Sequence, residues 1–134
     1  NYHVAVRHRN SLGVMTGTAQ ALGANAATLD FTQPFTSTYG TDARAIVNPG
    51  RMGLWSGNVA RDNVLKYTGT GNDRDPILVA VGSTTPNNII SGYVQSDITL
   101  DGQVKYTGTA NDRDPIIVNI GGNTPNNIRT QQLP

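Results

Sequence analysis

Residues 97–103, here called the second loop, carry oxygen-bearing side chains at the spacing of a cation-binding loop. Asp97, Thr99 and Asp101 alternate along the sequence, and a glycine and Gln103 follow. A hard cation such as calcium takes about six to eight oxygen ligands, and alternate residues of a tight loop can converge on one point. The glycine lets the backbone turn so that the carbonyl of Gln103 can face inward. The spacing therefore predicts a calcium site at these four residues.

The second loop belongs to the second of two copies of one sequence unit. Residues 66–90 and 105–129 are offset by 39 positions, and 18 of the 25 aligned residues are identical. The similarity extends more weakly upstream. We therefore predict a duplicated module over residues 53–134, with copies at about 53–91 and 92–130.

The first copy contains a corresponding loop at residues 58–64, here called the first loop, which is poorer in oxygen. Asn58, Ala60 and Asp62 stand at its first, third and fifth positions, and Val64 stands at the carbonyl position. Since Ala60 offers no side-chain ligand, we predict that any site here is weaker or filled by water.

The paired loops resemble a dockerin module, the duplicated calcium-binding loop–helix unit of cellulosomal and other secreted bacterial proteins. All nine acidic residues are aspartate, which fits the resemblance because dockerin loops close with Asp where ordinary EF-hands use Glu. The NDRDPI element and the NTPNNIRTQQLP ending look like modules near the C-termini of large secreted Bacteroidetes proteins. The resemblance covers roughly residues 53–134 and implies a secreted, extracellular or cell-surface protein that binds calcium.

The ligand that closes the second loop is identified through this resemblance. A twelve-residue loop that starts at Asp97 ends at Gly108, which has no side-chain oxygen. If residues 106–110 are an inserted excursion, the resemblance makes Asp114 the closing ligand, and Asp112 is the alternative.

The resemblance also implies a short helix after each set of aspartates. In the first copy the corresponding acids are Asp73 and Asp75. Pro115 stands at a suitable first helical position, and the IIVNI run before Gly121 would form the helix. By propensity alone this apolar run could equally be a strand. Asp75 and Asp114 directly precede proline, where aspartate is also a normal N-cap, so they could be structural without an ion.

Residues 1–52 have a different character and predict a small β-sandwich-like module. Residues 2–7 alternate as in a half-buried strand, residues 12–22 and 27–32 are expected to form further strands, and residues 48–50 predict a turn. About 50 residues is little for a closed sandwich. We therefore expect either that the sheet is completed elsewhere or that the chain belongs to a longer protein.

Aromatic and basic residues of the repeats are predicted to be structural. Tyr67 and Tyr106 are expected to pack against other parts of the module rather than to form a carbohydrate platform. Arg74 and Arg113 lie between repeated aspartates and are expected to form local ion pairs or contacts between the copies.

Composition and charge exclude several functions. The chain has 10 Lys+Arg against 9 acids, a net charge of +1 and no basic run, so nothing indicates nucleic-acid or anionic-membrane binding. No apolar stretch approaches the roughly 20 residues of a membrane span. Cysteine is absent, and no serine stands in a nucleophile elbow. Duplicated aspartates at loop spacing do not resemble a glycosidase carboxylate pair, and we predict a protein without enzymatic activity.

The expected protein is mostly β and loop, and calcium is expected to fix its loops. One hypothesis is a structural or adhesive module that self-associates through β-strand edges, for instance in an extracellular filament. The alternative is a docking module for a cohesin-like receptor. A third hypothesis is carbohydrate binding through Tyr67, Tyr106 and Trp55.

Overall fold

A computed structural model describes residues 1–25 and 28–134. The described chain forms two compact units. The first unit comprises Asn1–His8, Leu12–Trp55 and Gln131–Pro134, and the second comprises Arg9–Ser11 and Ser56–Thr130. Strands and loops predominate: the described residues contain eight short strands, all in two-stranded antiparallel sheets, and two helices. The prediction of a mostly β protein is confirmed at this level.

The first unit contains two small sheets. Strand β1 (Ala5–Val6) pairs with β2 (Val14–Met15), and β3 (Ala45–Asn48) pairs with β4 (Arg51–Gly53). The turn predicted at residues 48–50 joins β3 to β4, and its glycine has a positive φ of 75°. The prediction of this turn is therefore confirmed.

Two of the strands predicted for the first unit are confirmed only in part. Residues 2–7 contain β1, but Tyr2 and Val6 are 63% and 41% exposed and only Val4 of the alternating apolar residues is half-buried. Residues 12–22 contain β2, in which Val14 is fully buried.

The strand predicted at residues 27–32 is wrong for residues 28–32, which form no strand. Asp30 Oδ1 accepts hydrogen bonds from the N–H and the hydroxyl of Thr32 at 2.9 and 2.6 Å, and the Asp30 carbonyl accepts one from the Thr36 hydroxyl at 2.6 Å. Such local bonds offer the backbone an alternative to a strand ladder. The first residue of the predicted segment lies outside the described residues.

The second unit contains three elements from each copy. The first copy supplies β5 (Val64–Lys66), α1 (Arg74–Ala80) and β6 (Ile89–Ser91), and the second supplies β7 (Gln103–Lys105), α2 (Asp114–Asn119) and β8 (Ile128–Thr130). The short helix expected before Gly121 is present as α2, so the strand alternative is wrong. Neither helix in the described chain has the length and apolar character needed to cross a membrane.

The strands of the two copies pair with each other. Strand β5 of the first copy pairs with β8 of the second, and β6 of the first pairs with β7 of the second. Each sheet of the second unit therefore takes one strand from each copy. Within the described residues, neither copy forms a sheet from its own strands alone.

The core of the second unit is also shared by the two copies. One buried apolar cluster consists of Val59, Ile77, Val81, Ile98, Val104 and Ile116. Ile77 in α1 and its repeat counterpart Ile116 in α2 are both completely buried. Burial of apolar surface is the main favourable contribution to folding, and here that contribution requires both copies.

The repeated tyrosines pack against this core, which confirms the prediction that they are packing residues. The Arg74 guanidinium lies 5.2 Å from the centroid of the Tyr67 ring, and the Arg113 guanidinium lies 5.3 Å from that of Tyr106. Each arginine also forms an ion pair with the aspartate that follows it, at 3.8 and 3.4 Å. The predicted local ion pairs are therefore present.

Candidate metal centre

Asp112 is a buried anchor of the second loop. Its carboxylate is completely buried. Oδ1 accepts hydrogen bonds from the N–H of Ile98 at 2.7 Å and from the N–H and hydroxyl of Thr99 at 3.0 and 3.2 Å, and Oδ2 accepts one from the N–H of Lys105 at 2.8 Å. A buried carboxylate is tolerated when donors satisfy its oxygens. Both oxygens of Asp112 are thus committed to holding the loop backbone.

Asp73 is the corresponding anchor of the first loop. It is also completely buried, and it accepts hydrogen bonds from the N–H groups of Ala60 and Lys66 at 2.9 and 2.8 Å. Burial raises the pKa of Asp73 to about 6; these hydrogen bonds oppose that rise, whereas the charge of Asp62 adds to it. Ala60 lacks the hydroxyl that its counterpart Thr99 supplies in the second loop. The first anchor carboxylate is therefore less well satisfied than the second.

Asp97, at the first position of the second loop, has a buried oxygen that accepts no hydrogen bond from the described residues. Oδ2 accepts hydrogen bonds from the Gly102 N–H and from Arg9 Nη2, each at 3.3 Å, whereas Oδ1 is buried and has no donor. A buried acceptor without a donor costs about 1–3 kcal/mol. A cation at Oδ1 would remove that cost, so the residue fits a metal ligand.

Asp101 adds a second, exposed carboxylate to this loop. Its Oδ1 accepts a hydrogen bond from the Gln103 N–H at 2.8 Å, and its Oδ2 lies 3.5 Å from Lys105 Nζ. The hydrogen bond from Gln103 and the charge of Lys105 hold the pKa of Asp101 below its usual range. Thr99 donates its hydroxyl hydrogen elsewhere and keeps lone pairs for a ligand role. The second loop therefore contains both charged carboxylate oxygens and neutral oxygens within seven residues.

The first loop carries one acid fewer. Asn58 occupies the position of Asp97, and its Oδ1 accepts a hydrogen bond from the Asp62 N–H at 3.2 Å. The Oδ1 of Asp62 in turn accepts one from the Val64 N–H at 3.1 Å. The amide oxygen at the first position is thus used within the loop, and it carries no charge.

Asp75 and Asp114, predicted to close the loops, lie in the first turns of α1 and α2. Asn72 Oδ1 accepts a hydrogen bond from the Asp75 N–H at 3.0 Å, and Asn72 Nδ2 donates to the Asp75 carboxylate at 2.8 Å. Asn111 and Asp114 make the same two bonds at 2.9 and 2.8 Å. Each asparagine side chain thus bonds both the N–H and the carboxylate of the aspartate three residues further on. The aspartate side chains are 62% and 57% exposed. The N-cap residues of the two helices are Asp73 and Arg113, so the interpretation of Asp75 and Asp114 as N-caps is wrong.

A short segment from the N-terminal part of the chain contacts the second loop. Arg9 Nε donates to the Val94 carbonyl at 3.0 Å, and Arg9 Nη2 forms the ion pair with Asp97. Asn10 Nδ2 donates to the main-chain carbonyls of Gln95 and Asp97 at 3.2 and 2.6 Å. The candidate site therefore includes residues from outside the repeat.

Sequence reasoning missed these residues and the capping asparagines. Asn72 and Asn111 carry a detectable signal, because the same NDRDP run occurs in both copies. Arg9 carries none, because it stands in no motif and lies 88 positions from Asp97.

Within the described residues, no three His or Asp side chains lie close enough together to hold a metal ion by themselves. Comparisons of this chain with protein-family models, with curated proteins and with solved structures find no match.

Proposed function

We propose that this chain is a non-enzymatic structural module of a secreted or cell-surface bacterial protein, and that its second loop binds one calcium ion. The observation that carries the proposal is Oδ1 of Asp97, which is buried and accepts no hydrogen bond from the described residues. The side chains of Asp97, Thr99 and Asp101 and the carbonyl of Gln103 are the groups that would hold the ion. Carboxylates combined with neutral oxygens suit calcium, with water completing its coordination.

Calcium acts in this proposal as a stabiliser of the second unit. The ion supplies positive charge to a loop that holds two carboxylates, and an ion that binds the folded state alone raises the free energy of unfolding. Because the two copies share one core, fixing the second loop stabilises both of them. Extracellular modules work at about 0.1 to 1 mM calcium affinity, so a weak site suffices.

The first loop needs no ion in this proposal. Its first position is the neutral Asn58, its third position is Ala60, and the anchor Asp73 already holds its backbone through N–H groups. The proposed stoichiometry is therefore one calcium ion per chain.

Calorimetric titration and thermal unfolding with and without chelator test the proposal. The wild-type chain is expected to bind one calcium ion and to melt at a higher temperature in its presence. Asp101→Asn is expected to abolish both responses. Asp62→Asn makes the same change at the equivalent position of the first loop and is expected to preserve them.

Two results would contradict this assignment. If calcium changes neither the melting temperature nor the heat measured in the titration, the chain does not bind calcium in the proposed way. If Asp62→Asn removes the response as completely as Asp101→Asn, the ion is not confined to the second loop.

Two equivalent surface hollows favour docking to a receptor as a second candidate function. Val79 in α1 and Val118 in α2 are 66% and 65% exposed, and each lines one hollow. The other lining positions shared by the two hollows are Ala60, Gly71, Asn72, Asp75 and Pro76 in the first copy and Thr99, Ala110, Asn111, Asp114 and Pro115 in the second. Exposed apolar surface rimmed by polar groups is typical of protein contact sites.

Exposed apolar residues of the first unit favour the filament function instead. Phe35 is 83% exposed, and Ile46 on β3 is 78% exposed. Electron microscopy and light scattering of the purified chain separate the two functions. Ordered polymers without any other protein support a filament module, whereas a monomer that binds a cohesin-like receptor, and loses binding on Val79→Asp with Val118→Asp, supports docking.

A further inference from the structure

We propose that Arg9 is a resident counter-ion of Asp97, which stabilises the second loop when no metal is bound and lowers the affinity of that loop for calcium. The calcium part of this inference rests on the proposed function, whereas the stabilising part does not. Arg9 lies outside both copies, so it would regulate the site from another part of the sequence.

The ion pair joins a buried acid to a partly exposed base. The Asp97 side chain is completely buried and that of Arg9 is 31% exposed, and Nη2 of the guanidinium lies 3.3 Å from Oδ2. The arginine contacts this oxygen and leaves Oδ1 without a partner. The two oxygens of one carboxylate thus have different roles, one paired with the resident cation and one available to an incoming ion.

Hydrogen bonds on both sides hold the guanidinium in place. Arg9 Nε donates to the Val94 carbonyl at 3.0 Å, and the Asn10 amide donates to the Asp97 carbonyl at 2.6 Å. The Asn10 carbonyl accepts hydrogen bonds from the N–H groups of Gly57 and Asn58 at 2.8 and 3.0 Å. The segment is tied to the starts of both loops, so the positive charge stays at a fixed position.

This fixed charge acts on the loop in two opposite ways. Without a metal it offsets the negative charge of buried Asp97, which would otherwise be costly. A divalent cation at Oδ1 is repelled by the same charge, because like charges a few ångströms apart in a partly buried site interact strongly.

The charge at the first position of each loop agrees with this view. Asp97 is the acid that meets Arg9, and its repeat counterpart Asn58 is neutral. The buried acid at the first loop position thus occurs in the copy whose loop contacts Arg9.

The test uses the full chain with Arg9→Gln, and with Arg7→Gln as the control for loss of one positive charge from an exposed residue two positions away. In chelator, Arg9→Gln is expected to lower the melting temperature by about 3 °C. In calorimetric titration the same variant is expected to bind calcium roughly tenfold more tightly, since a repulsive charge is gone. Arg7→Gln is expected to change neither quantity.

A double-mutant cycle with Asp97→Asn in chelator isolates the counter-ion effect. If Arg9→Gln lowers the melting temperature equally with and without Asp97, the arginine does not act through this acid, and the inference is overturned. Unchanged or weaker calcium binding by Arg9→Gln overturns the proposed opposition to calcium. If the wild type and both single arginine variants bind no calcium, the proposed function is wrong. The double-mutant cycle measured in chelator then still tests whether Arg9 is the counter-ion of Asp97.

Discussion

The two loops of the second unit share one scaffold and differ in charge. In both copies a buried aspartate, Asp73 or Asp112, accepts hydrogen bonds from loop N–H groups, and an asparagine, Asn72 or Asn111, caps the helix that follows. These four residues hold the backbone with bonds internal to the protein. The loop conformation is thus specified in both copies without reference to an ion.

The differences fall at the positions expected to face an ion. Asn58 replaces Asp97, and Ala60 replaces Thr99. Asn63 replaces Gly102, yet both have positive φ values, 67° and 80°. Asparagine tolerates this conformation better than most residues do. Both loops therefore make the same backbone turn, but the first loop has fewer oxygen ligands. Backbone geometry and charge are thus specified by separate residues.

Removal of the anchor aspartates is expected to have the largest effect and to rank the two loops. Asp112→Ala leaves the N–H groups of Ile98, Thr99 and Lys105 without their acceptor, and we expect a loss of about 4 kcal/mol in the free energy of unfolding. Asp73→Ala should cost less, about 3 kcal/mol. Urea denaturation in chelator measures both. Equal costs, or a larger cost for Asp73→Ala, would contradict the view that the second anchor is better satisfied.

Asp73, the anchor of the first loop, is expected to make its own contribution to the pH dependence of stability. The pKa of Asp73 is raised from 3.8 to about 6, so between these values the folded chain binds more protons than the unfolded chain. Its contribution to stability is present below about pH 4 and is lost as the pH rises to about 6, by roughly 2 to 3 kcal/mol.

Asp73→Asn isolates this contribution, because other acids titrate equally in both proteins. The free energy of unfolding of the wild type minus that of the variant should fall with rising pH between about 4 and 6 and stay level above that range. Denaturation curves at several pH values supply this difference. A difference that rises with pH would show that hydrogen bonds outweigh burial at this carboxylate.

The capping asparagines are expected to contribute equally, in contrast to the anchors. Asn72→Ala and Asn111→Ala each remove the acceptor for one N–H group in a helical first turn, at a cost of about 1 kcal/mol. Thermal or chemical denaturation of the two variants checks this equality. If the costs of Asn72→Ala and Asn111→Ala differ more than twofold, the two asparagines do not stabilise their helices equally.

Restoring the missing hydroxyl is expected to have the smallest effect. Ala60→Thr should give Asp73 a donor like the one that Thr99 gives Asp112, which lowers the pKa of Asp73 below about 6. The variant should gain about 0.5 kcal/mol at pH 7. NMR titration of the Asp73 carboxyl reports the pKa. An unchanged pKa would mean that the hydroxyl does not reach this oxygen.

Much of the second unit could be predicted because its signals are local and occur twice. The packing role of Tyr67 and Tyr106 follows from their repeated positions. The helix α2, which has Pro115 in its first turn, is predicted by the resemblance of the paired loops to a loop–helix unit, because its apolar run alone fits a strand equally well. The predicted roles of Asp97, Thr99 and Asp101 as ligands remain predictions.

Other features could not be predicted, because they depend on residues far apart in the sequence. The pairing of β5 with β8 and the contact between Arg9 and Asp97 leave no local pattern. The predicted strand at residues 27–32 failed for a different reason. There the side chain of Asp30 forms a turn with Thr32, and that bonding competes with apolar alternation.

The exchange of strands between the copies fixes the number of repeats in the second unit at two. In a linear repeat array each unit stacks on its neighbours and further units can be added. Here β5 pairs with β8 and β6 with β7, so each of these four strands already has its partner in the other copy. A single copy would find the same partners only in a second chain, in a two-fold symmetric homodimer. The duplicated sequence thus encodes within one chain an assembly that would otherwise depend on protein concentration.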